Sequence, residues 1–207
     1  MRCGTHNRTR TGSGRGQARS TVYQDRCELC ARLCPIRALL PQPLPMADGL
    51  RMRLALFQPD IPQNLGAALR LAACLGVSLD VIEPCGFPLS DAAIRRAAMD
   101  YAAIADVTRH VSWKNFHSNT GSCHRIVLFT TRGAQPLDHF AFQSDDVLLF
   151  GRESAGVPDE VHEAVQARVH IPLVAGARSL NVVTAAAIAL GEALRQTNGF
   201  PKPPGTG

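Results

Sequence analysis

No apolar run in these 207 residues is long enough to span a bilayer. The basic start of the chain lacks the apolar core that a secretory signal carries. The chain therefore reads as a cytoplasmic globular protein. No G-x-G-x-x-G follows the first predicted strand and no phosphate-binding lysine loop is present, which argues against a dinucleotide oxidoreductase and an NTPase. There is no H-x-E or H-E-x-x-H pair, and the seven histidines are scattered without ligand spacing, so a metal hydrolase is argued against and no metal is expected. Neither an internal repeat nor a second folded domain shows in the pattern.

What is present is unevenly placed. Residues 1–52 hold nine Arg and three acids, a net +6, whereas the remainder holds 13 basic and 14 acidic residues, a net −1. The basic pI thus belongs to the first quarter, and overall charge is a weak argument for nucleic-acid binding by the body. Cysteine is split too. "CELCARLCP" sets Cys27, Cys30 and Cys34 at C-x2-C-x3-C before a proline, the end of a bacterial ferredoxin run that lacks one ligand. Completing an Fe–S or metal site would need Cys3 or His6; the plainer reading is a non-native extension. Residues 1–20, rich in Arg, Gly, Ser and Thr without periodicity, are expected to be disordered, and "LLPQPLPMADG" reads as a linker. Met46 and Met52 are both candidate starts, and a strand opens directly at Met52. We expect residues 1–51 to be dispensable, 52–199 to form the folded domain and 200–207 to be a Pro/Gly tail. Seven cysteines without an export signal suggest reduced thiols.

From Met52 the pattern alternates. "RLALF", "LDVIEP", "VTRHV", "RIVLFTT", "DVLLFG" and "ARVHIP" read as strands. Between them lie helical stretches: Leu65–Leu75 with Asn64 as a possible cap and Gly76 as the stop, "LSDAAIRRAAMDYAA" capped by Ser90 or Asp91, a short one over Ser112–Phe116, "PDEVHEAVQ" opened by Pro158, and the long "LNVVTAAAIALGEALRQ". Strands apolar on both faces and separated by helices predict an α/β fold with a mostly parallel sheet. Ligands in such sheets bind at the carboxyl ends of strands. The loops there are "QPDIPQN", "TTRG", "GRESAGVP" and "PLVAGARSLN". Each has a plain account: Gly151 and Gly156 as turn glycines, Glu153 as a solvated acid, Ser179 and Asn181 as helix caps, and Arg70 as a side chain snorkelling from an otherwise uncharged helix. Spacing alone leads to a small α/β ligand-binding domain.

The loops in order carry a resemblance. "PDIPQNLGAALR", "LLFGRESAGVP" and "IPLVAGARSLNVVTAAAIALGEALRQ" resemble the three signature motifs of the SPOUT methyltransferases, and most closely the short TrmL-type tRNA 2'-O-methyltransferases; "IEPCGFPLSDAAIRRAAMDY" is similar to a segment of that group. The resemblance covers Met52 to Gly199. It implies a C-terminal deep trefoil knot, S-adenosyl-L-methionine bound in the knot loops, a homodimer, and methyl transfer to the ribose 2'-hydroxyl of the wobble nucleotide, cytidine or modified uridine, in a tRNA anticodon stem-loop. Matched residue by residue, it implies cofactor contacts from Phe129, Gly151, Ile171, Ser179 and Leu180. It places Asn64, Arg70, Glu153 and Asn181 at the catalytic centre. Arg70, a permanently charged fork, suits a phosphate beside the acceptor hydroxyl better than the role of a base. Arg95, Arg96, Arg132, Arg152 and Arg178, in or near these loops, are the expected substrate-binding patch. Arg152 stands where a proline is common, Ala177 where a serine is common, and Gly191 where many relatives have Tyr. The alternatives are an rRNA 2'-O-methyltransferase of the same superfamily and a non-catalytic RNA-binding module.

Overall fold

The computed structural model describes residues 52–90, 92, 94, 96, 101, 104–121, 123–132 and 135–202. Its centre is a seven-stranded sheet in which every pairing is parallel. The strands are β1 (Arg53–Phe57), β2 (Ser78–Ile82), β3 (Val107–His110), β4 (Ile126–Phe129), β5 (Gln135–Pro136), β6 (Val147–Phe150) and β7 (Ala167–His170), in the spatial order β3-β2-β1-β6-β4-β7-β5. Helices α1 (Pro62–Leu75), α2 (Trp113–Thr120), α3 (Asp159–Ala164) and α4 (Val182–Thr197) flank it. No helix among the described residues is long and apolar enough to cross a membrane.

Alternation along each strand decides which layer it serves. Leu54 and Leu56 of β1 join Leu148, Phe150 and Val127 under α1 and α4, while Ala55 and Phe57 join Leu128, Leu149 and Ile126 under α2 and α3. In α1, Leu65, Ala68, Leu69 and Ala72 are buried, the i, i+3, i+4, i+7 stripe of a helix packed on one side. The helix ends where Gly76 takes φ +67, its N–H reaching the Ala72 and Ala73 carbonyls. In α4, Ala186, Ala189, Leu190, Ala193 and Leu194 form the matching stripe.

Two buried acids hold the sheet. Asp80 of β2, 0% exposed, accepts from Arg53 Nε and Nη2 (2.7 Å each) and bonds His110 Nε2 at 2.7 Å, tying β1, β2 and β3 together. Burial alone would raise its pKa; the bonds from His110 and Arg53 outweigh that and hold the carboxyl below the ordinary carboxylate range. Asp146, also 0% exposed, takes Arg125 Nε and Nη2 at 2.7 Å and the Gln143 N–H at 2.8 Å, fixing the turn into β6.

The structure differs from the sequence-based expectation in several elements. Helix α1 starts at Pro62, so Asn64 lies inside its first turn and does not cap it; Ile61 is the N-cap residue and makes no side-chain cap bond. Helix α2 runs on to Thr120, with the Ser112 hydroxyl accepting from Asn115 N–H at 3.2 Å. Strand β5 and the 3-10 turn Leu137–His139 after it were not expected. Of the helix expected over "LSDAAIRRAAMDYAA", residues 92, 94 and 96 are described and are helical. Arg95 and most of the rest lie outside the described residues, as do residues 1–51 with Cys27, Cys30 and Cys34. Cys74 and Cys85 are free thiols.

Candidate functional site

The chain leaves β1 toward β2 and β3 on one side, then crosses to build β4, β6 and β7 on the other. The direction of winding therefore switches between β1 and β6, and a crevice at that point is where an open α/β sheet binds its ligand. Two loops meet there: residues 58–61 after β1, and residues 151–158 after β6.

Side chains lace them together. Arg152 Nη2 donates to Gln58 Oε1, and the Arg152 guanidinium sits 5.8 Å from the centre of the Phe57 ring. Gln58 holds φ +48, a left-handed backbone unusual for a residue with a side chain. The Asp60 N–H donates to Glu153 Oε2 at 2.8 Å, and Asp60 Oδ2 accepts both the N–H (3.2 Å) and the hydroxyl of Ser154. These Ser154 bonds lower the Asp60 pKa.

A directed chain of hydrogen bonds then runs from the β6 loop through α1 to α4. Asn64 Nδ2 donates to Glu153 Oε1 at 2.9 Å, Asn181 Nδ2 donates to Asn64 Oδ1 at 3.1 Å, and Asn181 Oδ1 accepts from the N–H groups of Val183 (2.8 Å) and Thr184 (3.3 Å). Both ends fix its polarity. A carboxylate only accepts and a helix N-terminus only donates, so each amide between them has one permitted orientation. Asn181 is thus both the N-cap of α4 and the donor that orients Asn64. Asn64 is 9% exposed, on a helix face otherwise lined by Leu65, Ala68 and Leu69. Of the four residues expected at the catalytic centre, this chain joins Asn64, Glu153 and Asn181. Arg70 follows Asn64 by six positions, about 120° around the helix; it is exposed, with its guanidinium 5.2 Å from the Tyr101 ring centre.

Gly151 and Gly156 have structural reasons of their own. The Arg152 N–H bonds the Gly156 carbonyl and the Gly156 N–H bonds the Arg152 carbonyl, both at 2.9 Å, closing a tight turn in which Gly156 takes φ +66. A Cβ on Gly151 would stand 2.6 Å from the Gly156 carbonyl carbon. The turn itself demands glycine at 151, whether or not a ligand also approaches there.

Phe129, Gly151 and Ile171 follow the register of adjacent strands. Phe129 pairs with Phe150 and with Val169, so Gly151 and Ile171 come just beyond the same level of the sheet edge. The Phe129 ring stacks on Phe150 with centroids 4.7 Å apart and planes 10° apart. Ser179 and Leu180 lie in the loop 171–181 that leads into α4. That loop exposes Leu173, Leu180 and Val174, the last 81% exposed. Among the described residues it contains one internal backbone bond, from the Ala177 N–H to the Val174 carbonyl at 3.1 Å. Apolar side chains above backbone groups without regular pairing suit a flat apolar ligand with polar edges.

The arginines are not gathered at one spot. Arg152 belongs to the crevice. Arg132 Nη1 bonds Asp159 Oδ1 at 3.0 Å, in a shallow cleft of about 420 Å³ lined also by His162, Glu163 and Arg168. Burial first, then the positive charges of Arg132 and Arg168, lower the His162 pKa. Arg178 and Arg96 are exposed. No group of three or more His, Cys, Asp or Glu able to hold a metal occurs among the described residues. Asp60, Ser154 and Gln58 were not anticipated as site residues. Their only signal was membership of the two loops, since the pairing of Asp60 with Ser154 spans 94 positions.

Known proteins are similar to this chain in sequence and in structure. A tRNA (cytidine(34)-2'-O)-methyltransferase from Ancylobacter novellus is 54% identical over 159 residues, 76% of this chain and 100% of the relative. A solved structure described as giving structural insights into the 2-OH methylation of C/U34 on tRNA is 40% identical with a TM-score of 0.67, covering 73% of this chain and 99% of that one. An AdoMet-bound rRNA methyltransferase from Sinorhizobium meliloti is 26% identical with a TM-score of 0.64, covering 75% of this chain and 61% of that one. The SpoU rRNA Methylase family matches residues 51–191, from the start of β1 into α4 and so across all three site loops. On its sheet, its loops and this match, the chain belongs to the SpoU rRNA Methylase family.

Proposed function

We propose that this protein transfers a methyl group from S-adenosyl-L-methionine to the ribose 2'-hydroxyl of the wobble nucleotide, cytidine or modified uridine, in a tRNA anticodon loop. The observation that carries the reading is the Glu153–Asn64–Asn181 chain at the β1/β6 crevice. It draws the three motif segments to one point in a chain whose relative, covered along its whole length, is a tRNA (cytidine(34)-2'-O)-methyltransferase. The rRNA reading is less favoured, because the rRNA methyltransferase it resembles is 26% identical, against 54% for the tRNA (cytidine(34)-2'-O)-methyltransferase.

When bound, the cofactor supplies an activated methyl group on a sulfonium centre. The residues that would hold it are Phe129, Gly151, Ile171, Ser179 and Leu180, at the sheet edge and in the exposed loop 171–181. Glu153, pinned through both oxygens, keeps lone pairs for the acceptor hydroxyl, and Asn64 keeps one N–H. Neither has to reorganise when the hydroxyl arrives, and such positioning supplies much of the rate of a transfer reaction. Arg70 offers its fork to the neighbouring phosphate. Arg96, Arg132, Arg152 and Arg178 would hold the anticodon stem-loop, whose bases can splay from the stack. With this reading go the trefoil knot and a homodimer paired through the outer faces of α1 and α4. Ile61 and Ile188 there are 40% and 42% exposed, beside the exposed Ala67, Cys74 and Ala187. Sedimentation at micromolar concentration should give a dimer; a monomer active on tRNA contradicts that part. The reaction is tested by incubating the protein with S-adenosyl-L-methionine and unmodified tRNA and locating the new 2'-O-methyl group by nuclease digestion and mass spectrometry.

A further inference from the structure

Four hydrogen bonds stitch the loop after β1 to the loop after β6, and three of them involve Asp60. We propose that Asp60 is a positioning residue for the methyl-acceptor site: its carboxylate clamps Ser154, its N–H pins Glu153, and together they set the direction in which Glu153 meets Asn64. The Glu153 carboxylate stands on a long side chain in the exposed turn 152–156. The Asn64 amide alone would hold one oxygen and leave the carboxylate free to swing about that bond. The Asp60 N–H, 2.8 Å from the other oxygen, removes the swing. A backbone donor can do this only if it is itself fixed, and Asp60 is fixed from two sides. Its own carboxylate takes two donors from Ser154, the next residue along the turn that carries Glu153. Behind it, the Gly86 N–H donates to the Pro59 carbonyl at 2.9 Å, and a Cβ on Gly86 would come 3.0 Å from Asp60 Cα. The segment "EPCGF" is thus packed backbone-to-backbone against Asp60. An acid that was merely solvated would not direct both acceptor bonds to a single residue of the opposite loop. The Ser154 bonds also favour the ionised form of Asp60, so the clamp is charge-assisted at neutral pH.

The assignment rests on the methyl-transfer reading and is tested by single-turnover methylation of tRNA with Asp60→Ala, Asp60→Asn, Glu153→Ala and the double variant Asp60→Ala/Glu153→Ala. Asp60→Ala should slow transfer by about tenfold to a hundredfold, the cost of a small misplacement, with cofactor and tRNA affinities nearly unchanged. Asp60→Asn, which keeps an oxygen for both Ser154 donors, should recover most of the rate. Once Glu153 is already Ala, removing Asp60 should cost little more. An equal penalty in both backgrounds, or no penalty from Asp60→Ala, overturns the assignment. A second readout needs no turnover: the side-chain amide resonance of Asn64, in the protein labelled with nitrogen-15, should move in Asp60→Ala and return in Asp60→Asn. An unmoved resonance also overturns it. If the wild-type protein methylates no tRNA, the functional reading fails while the Asn64 resonance still decides whether Asp60 holds Glu153.

Discussion

Asn181 performs two tasks that two substitutions can separate. It caps α4 through Oδ1 and orients Asn64 through Nδ2. Asn181→Ala removes both, costing about 1 kcal/mol for the cap and about 1 kcal/mol for the side-chain bond. Asn181→Asp keeps the cap, with a charge that suits a helix N-terminus, but turns the bond to Asn64 into two facing oxygens, so it should cost about 1–3 kcal/mol. For a folded body of this size each kcal/mol lowers the melting temperature by about 2–4 °C. Both variants should therefore melt below the wild type by comparable amounts. Turnover should separate them. The Asp variant sets a carboxylate oxygen against Asn64 Oδ1, and Asn64 cannot escape by turning its amide over, because that would present oxygen to Glu153. In the Ala variant water can supply the missing donor. Single-turnover methylation should thus fall further in Asn181→Asp than in Asn181→Ala. Calorimetric melting alongside the kinetic assay checks both expectations. An Asp variant that melts like the wild type, or that methylates as fast as the wild type, refutes the directed chain.

Asp80→Ala leaves Arg53 and His110 facing a vacated site and should cost about 3–5 kcal/mol in urea unfolding. The lowered pKa of Asp80 means that its contribution is complete above the unfolded carboxylate value near 4 and is lost as pH falls through the lower folded value. Asp80→Asn should accordingly flatten the acid limb of a stability–pH curve, and an unchanged limb counts against that linkage. Gly151→Ala should cost about 1–3 kcal/mol by forcing the 152–156 turn apart, and it should weaken cofactor binding in titration calorimetry. A variant that melts like wild type contradicts the 2.6 Å clash. Burial first, and then the Glu83 charge, push the Cys85 thiol up to about 11, whereas Cys74 is exposed. Iodoacetamide at pH 8 should label Cys74 well before Cys85 in peptide mass maps; equal labelling contradicts this.

The sheet was legible because its inner strands β1, β2, β4 and β6 are buried on both faces and read as largely apolar runs bounded by turn residues. Strand β5 was not, since two residues ending in Pro136 carry no period and exist only through pairing with β7. The site loops were legible from a rule about strand ends; what binds within them was not. Asn64 looked like a cap because Asn before an apolar helix usually is one. The helix instead begins three residues earlier than expected, at Pro62, whose missing N–H costs nothing in the first turn. That shift turns the Asn64 side chain inward to Glu153. The acid in "SLDVI" was a readable anomaly, an Asp within a buried strand that calls for a cation, yet its partners Arg53 and His110 follow from strand order and not from spacing. The lone charge of α1 has an observed local partner in the Tyr101 ring, which lies beyond any local pattern.

One nucleoside measurement decides whether this protein methylates the wobble ribose. Purified protein, S-adenosyl-L-methionine labelled in the methyl group and a tRNA transcript are combined, and the digested RNA is sequenced by mass spectrometry. One labelled methyl group is expected, on the ribose of the wobble nucleotide, and none when Asn64→Ala replaces the wild type. Methylation on a base, at another position, or undiminished in Asn64→Ala would contradict the proposed reaction.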